Sequence, residues 1–95
     1  MTKDEFLSRL RAEGFAEPVA VERDAGYRLD LHDHPFEAYA LITEGELSIE
    51  VDGVATAYPA GSTFRLAPHT PHREWAGAAG ARYLSGRRES AKGQP

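Results

Sequence analysis

The pattern of apolar and polar positions changes period once along this chain, close to Pro18. Ahead of it, Phe6, Leu7 and Leu10 fall on one stripe of a 3.6-residue repeat. Thr2 and Glu5 have the T-x-x-E spacing of a capping box. Gly14 suits the left-handed position that ends a helix, and Pro18 blocks any continuation. The pattern predicts one short amphipathic helix over residues 3 to 13, with residues 1–17 forming helix and linker.

After Pro18 the period is two. Tyr27, Leu29 and Leu31 alternate with Arg28, Asp30 and His32; Leu47, Ile49 and Val51 alternate with Glu46, Ser48 and Glu50. Phe64 and Leu66 alternate with Thr63 and Arg65. Half-buried strands carry this signature. Glu44-Gly45 and Asp52-Gly53 read as turns, the second as a tight two-residue hairpin. Pro59-Ala60-Gly61, Pro68-His69-Thr70-Pro71 and the Gly77/Gly80 pair mark three further breaks. About seven or eight short strands at this spacing predict an all-β barrel of two packed antiparallel sheets. The barrel should span residues 18–86. Residues 87–95 are polar with no apolar anchor and read as a disordered tail, so Arg87 and Arg88 are expected in solvent.

Composition narrows the function. At 95 residues the chain is one domain by length. A net charge of 11 − 15 = −4 argues against a nucleic-acid surface or an anionic membrane partner. The absence of cysteine excludes disulfides, thiolate ligands and cysteine nucleophiles. No apolar run reaches membrane-spanning length and Met1–Arg11 is too charged for a signal peptide, so a cytoplasmic location is expected.

Candidate chemistry concentrates in histidine. His32 and His34 stand two apart on an extended segment, so both leave the same face, and His72 begins another strand-like run. Neutral imidazole is the commonest ligand for divalent transition metals. Three of them on neighbouring strands would leave coordination positions open for water or substrate. H-x-H is a short and promiscuous pattern that also describes a polar turn. His69, inside the Pro-rich break, is expected to be a turn residue at the barrel mouth without a metal role.

Two separated motifs bear on the choice. Gly26, five residues, His32-x-His34 and a later Gly45 resemble the first motif of the cupin superfamily. Gly61, a strand and "LAPHTPH" ending at His72 resemble the second, which usually reads Pro-Pro-Gly-x-Pro-His. The resemblance covers about residues 18 to 85 and is to small single-domain cupins of the conserved-barrel type. It implies a double-stranded β-helix, or jelly roll, with one short N-terminal helix. It implies a divalent metal (zinc, iron, nickel or manganese) on His32, His34 and His72, and a small organic molecule in the barrel.

The departures fall at the site. The superfamily's glutamate ligand, four residues after the second histidine, is Ala38 here, and Glu37 comes one residue early on the opposite face of a regular strand. Only a bend at Pro35 would swing Glu37 inward. Glu74 shares a strand face with His72 and could supply the carboxylate as a fourth ligand, or as the catalytic acid or base. The motif-two glycine is His69, its first proline is Ala67, and the asparagine some members carry near its end is absent.

Tyr27, Tyr39, Tyr58, Tyr83, Phe36, Phe64 and Trp75 are candidates for lining a pocket or, more commonly for such residues, for packing a core. Tyr39 and Trp75 run out of phase with the histidines and should face the helix or a partner subunit. Outward Tyr39, Leu41 and Trp75 would favour a homodimer. Arg65 could reach an anionic substrate or simply lie exposed on its strand. Three functions fit: a metal-dependent enzyme such as an oxygenase or isomerase, a ligand-binding or sensor module, and a metal-free structural barrel. The displaced glutamate counts against the usual oxygenase chemistry.

Overall fold

The computed structural model describes residues 1–89. One helix, α1 (Lys3–Ala12), precedes six strands: β1 (Val19–Arg23), β2 (Arg28–His32), β3 (Phe36–Val51), β4 (Val54–Pro59), β5 (Thr63–Leu66) and β6 (His72–Glu89). The helix begins with the expected reciprocal cap. Glu5 N donates to Thr2 Oγ1 at 3.1 Å and Thr2 N donates to Glu5 Oε1 at 2.8 Å. It ends in a Schellman turn, with Phe15 N on Leu10 O at 2.9 Å and Gly14 N on Arg11 O at 3.2 Å. Gly14 takes φ +79, which that turn requires.

The strands are fewer and longer than the turn signals predict. Glu44-Gly45 and the Gly77/Gly80 pair bend β3 and β6 without ending them. The β3–β6 pairing shifts register between Ile42 and Glu44 and again between Gly45 and Leu47. At this level Gly45 (φ +73) lies against Gly80 (φ +79), and a Cβ on Gly45 would come 2.1 Å from the Gly80 carbonyl oxygen. Two glycines therefore let both long strands fold over together. Each strand thereby serves two sheets. The outer half of β6 pairs β1 and the first half of β3, which pairs β5; the inner half pairs β2 and the rest of β3, which pairs β4. Counted as segments, the sheets hold four apiece, and every pairing is antiparallel. The Asp52-Gly53 hairpin forms as expected, both residues at positive φ.

The core divides in two along β3. Ala38, Ala40, Ile42, Leu47 and Ile49 face the barrel interior with Phe64, Leu66, Ala76, Ala81 and Tyr83. Tyr39 and Leu41 face outward, where Phe6, Leu10 and Phe15 cover them. Phe6 meets Tyr39 edge-on with ring centroids 5.1 Å apart. The helix, so placed, removes Tyr39 and Leu41 from the apolar surface that suggested pairing of two copies.

Two further expectations change. Strand β6 runs past Gly86 through Glu89, pairing Arg87 with Ala38 and Arg88 with Glu37, so residues 87–89 belong to the barrel. Residues 90–95 lie outside the described part. In β2 the strict alternation fails: Leu29 pairs Glu74 but His32 pairs His72, which leaves one extra residue in β2. This bulge puts Leu29 and His32 on the same, cavity-lining side, with Leu29 at the exposed rim and Leu31 exposed on the other side. Among the described residues no helix is long and apolar enough to cross a membrane.

Candidate metal centre and cavity

Three elements converge at one end of the barrel. The β2 bulge turns His32 inward, the loop after β2 carries His34, and β6 begins with His72. One ring nitrogen from each lies within 4.8 Å of the others. His72 is 1% exposed, whereas His32 and His34 are half-buried. The loop of His34 is tied to the Pro-rich turn by a bond from His69 N to His34 O at 2.7 Å. His69 takes φ +63, the left-handed conformation that the motif glycine would supply. Its side chain is exposed and faces Asp33 across 3.3 Å, away from the three converging rings.

Each converging ring is oriented by the backbone. His32 Nδ1 lies 2.7 Å from Asp30 O, His72 Nδ1 2.8 Å from Thr70 O, and His34 Nδ1 3.3 Å from Phe36 O. A carbonyl can only accept, so each Nδ1 carries the proton and each Nε2 presents a lone pair. His72 Nε2 is buried and has no hydrogen-bond partner. His34 also stacks on Phe36, ring centroids 4.2 Å apart and planes within 2°. Burial, above all, holds the His34 pKa below the usual imidazole value; the neighbouring His72 and His32 push it the same way, and the Phe36 carbonyl opposes them.

The two candidate carboxylates part company. Glu74 follows His72 by two and faces the same interior. Its Oε1 lies 3.5 Å from His72 Nε2 and 3.9 Å from His32 Nε2, while Oε2 accepts from the Tyr27 hydroxyl at 2.6 Å. Burial and then the Glu74 carboxylate push the Tyr27 hydroxyl pKa up, which keeps it a donor. Glu37 sits on the outer face between Arg88 at 2.5 Å and Arg65 at 3.7 Å. Pro35 does not reroute the strand: Glu37 remains opposite to Ala38, which lines the interior.

The donor set suits a divalent transition ion. Nε2 of His72 and Oε1 of Glu74 approach within 3.5 Å with no proton between them when Nδ1 carries it. Two lone pairs so placed repel unless a cation lies between them, and the orphaned buried nitrogen of His72 gives the same indication. Nitrogen donors with one carboxylate fit zinc, iron, nickel or manganese.

Beside the histidines lies a cavity of about 240 Å³. Val19, Val21, Phe36, Phe64 and Leu66 make its apolar wall; Tyr27 and Tyr83 from the aromatic set also line it. Tyr39, Tyr58 and Trp75 do not. Two arginines were not anticipated. Arg23 lies over the Tyr27 ring at 4.6 Å and Arg87, exposed as expected, over the Phe36 ring at 4.3 Å, both lining the cavity. Parity could have found them: Val19, Val21 and Arg23 share one face of β1, and Tyr83, Ser85 and Arg87 share one face of β6. Arg65, by contrast, is held outside by Glu13 and Glu37 and stacks on Tyr39.

The family model of the Cupin domain matches residues 21–85. This chain belongs to that family. Among solved structures it is similar to an RmlC-like cupin from Shewanella frigidimarina, at 26% identity over 81% of this chain and 70% of that one, with a TM-score of 0.63. It is similar to KdgF from Halomonas sp., at 19% identity over 82% of this cupin and 72% of the other, with a TM-score of 0.68. The DMSP lyase DddQ from Ruegeria pomeroyi shares the fold at 22% identity and a TM-score of 0.67, over 77% of this cupin but only 38% of the lyase. No curated protein matches the sequence.

Proposed function

We propose that this cupin binds a divalent transition metal on His32, His34 and His72 and acts on a small organic molecule held in the adjoining cavity. The observation that carries the reading is the convergence of the three rings, one nitrogen of each within 4.8 Å of the others and each Nδ1 set on a backbone carbonyl, with Nε2 of His72 buried without a partner. A bound ion would supply Lewis acidity, polarising an oxygen of the molecule beside it. The protein's own groups do the rest. The backbone carbonyls of Asp30, Phe36 and Thr70 hold the imidazoles in register. Tyr27 fixes Glu74 through one oxygen and leaves the other facing the histidines, as a fourth donor or as the acceptor of a substrate proton. Phe36, Phe64 and Leu66 exclude water from one side.

The DMSP lyase on the same fold gives a precedent for small-molecule chemistry, and its low identity leaves the reaction of this cupin open to assay. Elemental analysis of protein purified without chelator tests the first half. About one equivalent of a transition metal is expected, lost in His72→Ala. Protein that neither retains nor takes up a divalent ion would refute it. Loaded protein is then assayed for oxygen uptake, isomerisation and elimination on small substrates. Metal without turnover would favour a ligand-binding module over an enzyme.

A further inference from the structure

The cavity carries a charge arrangement that the metal does not explain. Its lining holds two guanidinium groups, Arg23 and Arg87, against one carboxylate, Glu74, whose oxygens already face Tyr27 and the histidines. Among the described residues neither arginine forms an ion pair, although Arg65, Arg73, Arg82 and Arg88 all do. Instead each guanidinium lies over an aromatic face of the cavity wall. Arg23 Nε is buried and has no hydrogen-bond partner. Tyr83, by hydrogen bonding first, pushes the pKa of the half-buried Arg23 up, so the group stays charged. A buried guanidinium donor left unmatched costs free energy, and proteins keep such groups where a ligand completes them. A divalent ion on the histidines would add two more positive charges to the same cavity.

We propose that Arg23 forms a carboxylate-binding subsite, with Arg87, six ladder positions further along β6 from the partner of Arg23, adding positive charge at the other end of the cavity, so that the molecule taken by this cupin is a small organic acid. The planar fork of a guanidinium matches a carboxylate through two parallel N–H···O bonds, and stacking on Tyr27 holds that of Arg23 in place. At about 240 Å³ the cavity equals roughly eight waters of about 30 Å³ each, room for an acid of only a few carbons. Val19, Val21, Phe64 and Leu66 suit a short apolar body. The acid would thus be gripped at its carboxylate while its other end faces His32, His34 and His72. This rests on the small-molecule half of the proposed function and not on the metal.

The test is calorimetric titration of the full chain, both zinc-loaded and chelator-stripped, with propionate, butyrate and lactate. Propionamide, butyramide and inorganic phosphate serve as comparison ligands. At least one acid should bind at least tenfold more tightly than its amide in both forms. Arg23→Gln should weaken that acid at least tenfold and Arg87→Gln by a smaller factor, while Arg65→Gln on the outer face leaves it unchanged. Circular dichroism checks folding. If Arg23→Gln does not fold, the amide comparison on the unaltered protein and Arg23→Lys, which keeps the charge and loses the fork, decide. Equal binding of acid and amide, no acid bound in either form, or phosphate bound as tightly as the acids would overturn the subsite. So would acid binding confined to the zinc-loaded form and lost in His72→Ala alone, which would place the carboxylate on the metal. Failure of zinc to bind, with the acid preference intact in stripped protein, would refute the metal reading and leave this subsite standing.

Discussion

Residues 38 to 42 of β3 face two interiors that are finished to different degrees. Tyr39 and Leu41 turn outward under α1, where Phe6, Leu10 and Phe15 close over them. The charged groups at that margin are matched: Glu13 with Arg65, and Glu37 with both Arg65 and Arg88. Ala38, Ala40 and Ile42 turn inward to the barrel interior, whose cavity, lined by Ala38, has polar valence to spare in the Nε2 of His72 and the Nε of Arg23. A satisfied face adds stability; a face left unsatisfied gives up stability where a ligand is to be met. The proposed function is read from the inner face.

This contrast predicts separable effects. Leu10 is 2% exposed, and Leu10→Ala should cost about 2–5 kcal/mol in denaturant unfolding. The same variant should bind zinc with unchanged affinity while folded. His72→Ala should do the reverse at the metal, with a loss beyond the roughly 10- to 100-fold typical of residues that only orient a ligand. Equal loss of zinc binding in both variants would erase the distinction between the two faces.

The carboxylates give a finer version of the same test. Glu74→Ala should weaken zinc by about tenfold or more, since its Oε1 lies 3.5 Å from His72 Nε2, whereas Glu37→Ala should change stability and leave zinc alone. A large loss for Glu37→Ala beside an unaffected Glu74→Ala would reverse the assignment.

Much of this was legible because strand parity is strict. Glu74 on the histidine face, Glu37 off it and Tyr39 toward the helix all follow from counting in twos. Counting failed where the backbone departs from a ladder. The bulge in β2 inverts the parity of His32 relative to Leu29, and nothing in "RLDLH" marks it. Glu44-Gly45 and Gly77/Gly80 read as turns because a glycine that bends a strand and one that ends it look alike in sequence; their apposition exists only in three dimensions. The cavity arginines were missed for a simpler reason. Arginine at a strand end is usually solvated, and only the valines two and four positions before Arg23 suggest otherwise.

The smallest effect concerns pH. His34 has its pKa lowered by burial, so in stripped protein the unfolded state binds more protons just below the ordinary imidazole value of 6.5. Stability should be level above that value, fall as pH drops through it, and level off below the folded pKa. Thermal unfolding of chelated wild type and His34→Gln from about pH 8 to about pH 5 should show the wild type losing ground at the acid end. A wild type that gains on the variant as pH falls would have the sign wrong.

The central claim is that three imidazoles with fixed tautomers share one ion. Long-range proton–nitrogen NMR of histidine-labelled protein addresses it most directly. Before zinc, His32, His34 and His72 should each show a protonated Nδ1 and a bare Nε2. One equivalent of zinc should shift all three Nε2 resonances together, leave Nδ1 protonated, and leave His69 unchanged as an internal control. Zinc that shifts His69 instead, or that leaves the three Nε2 resonances where they were, would contradict the account.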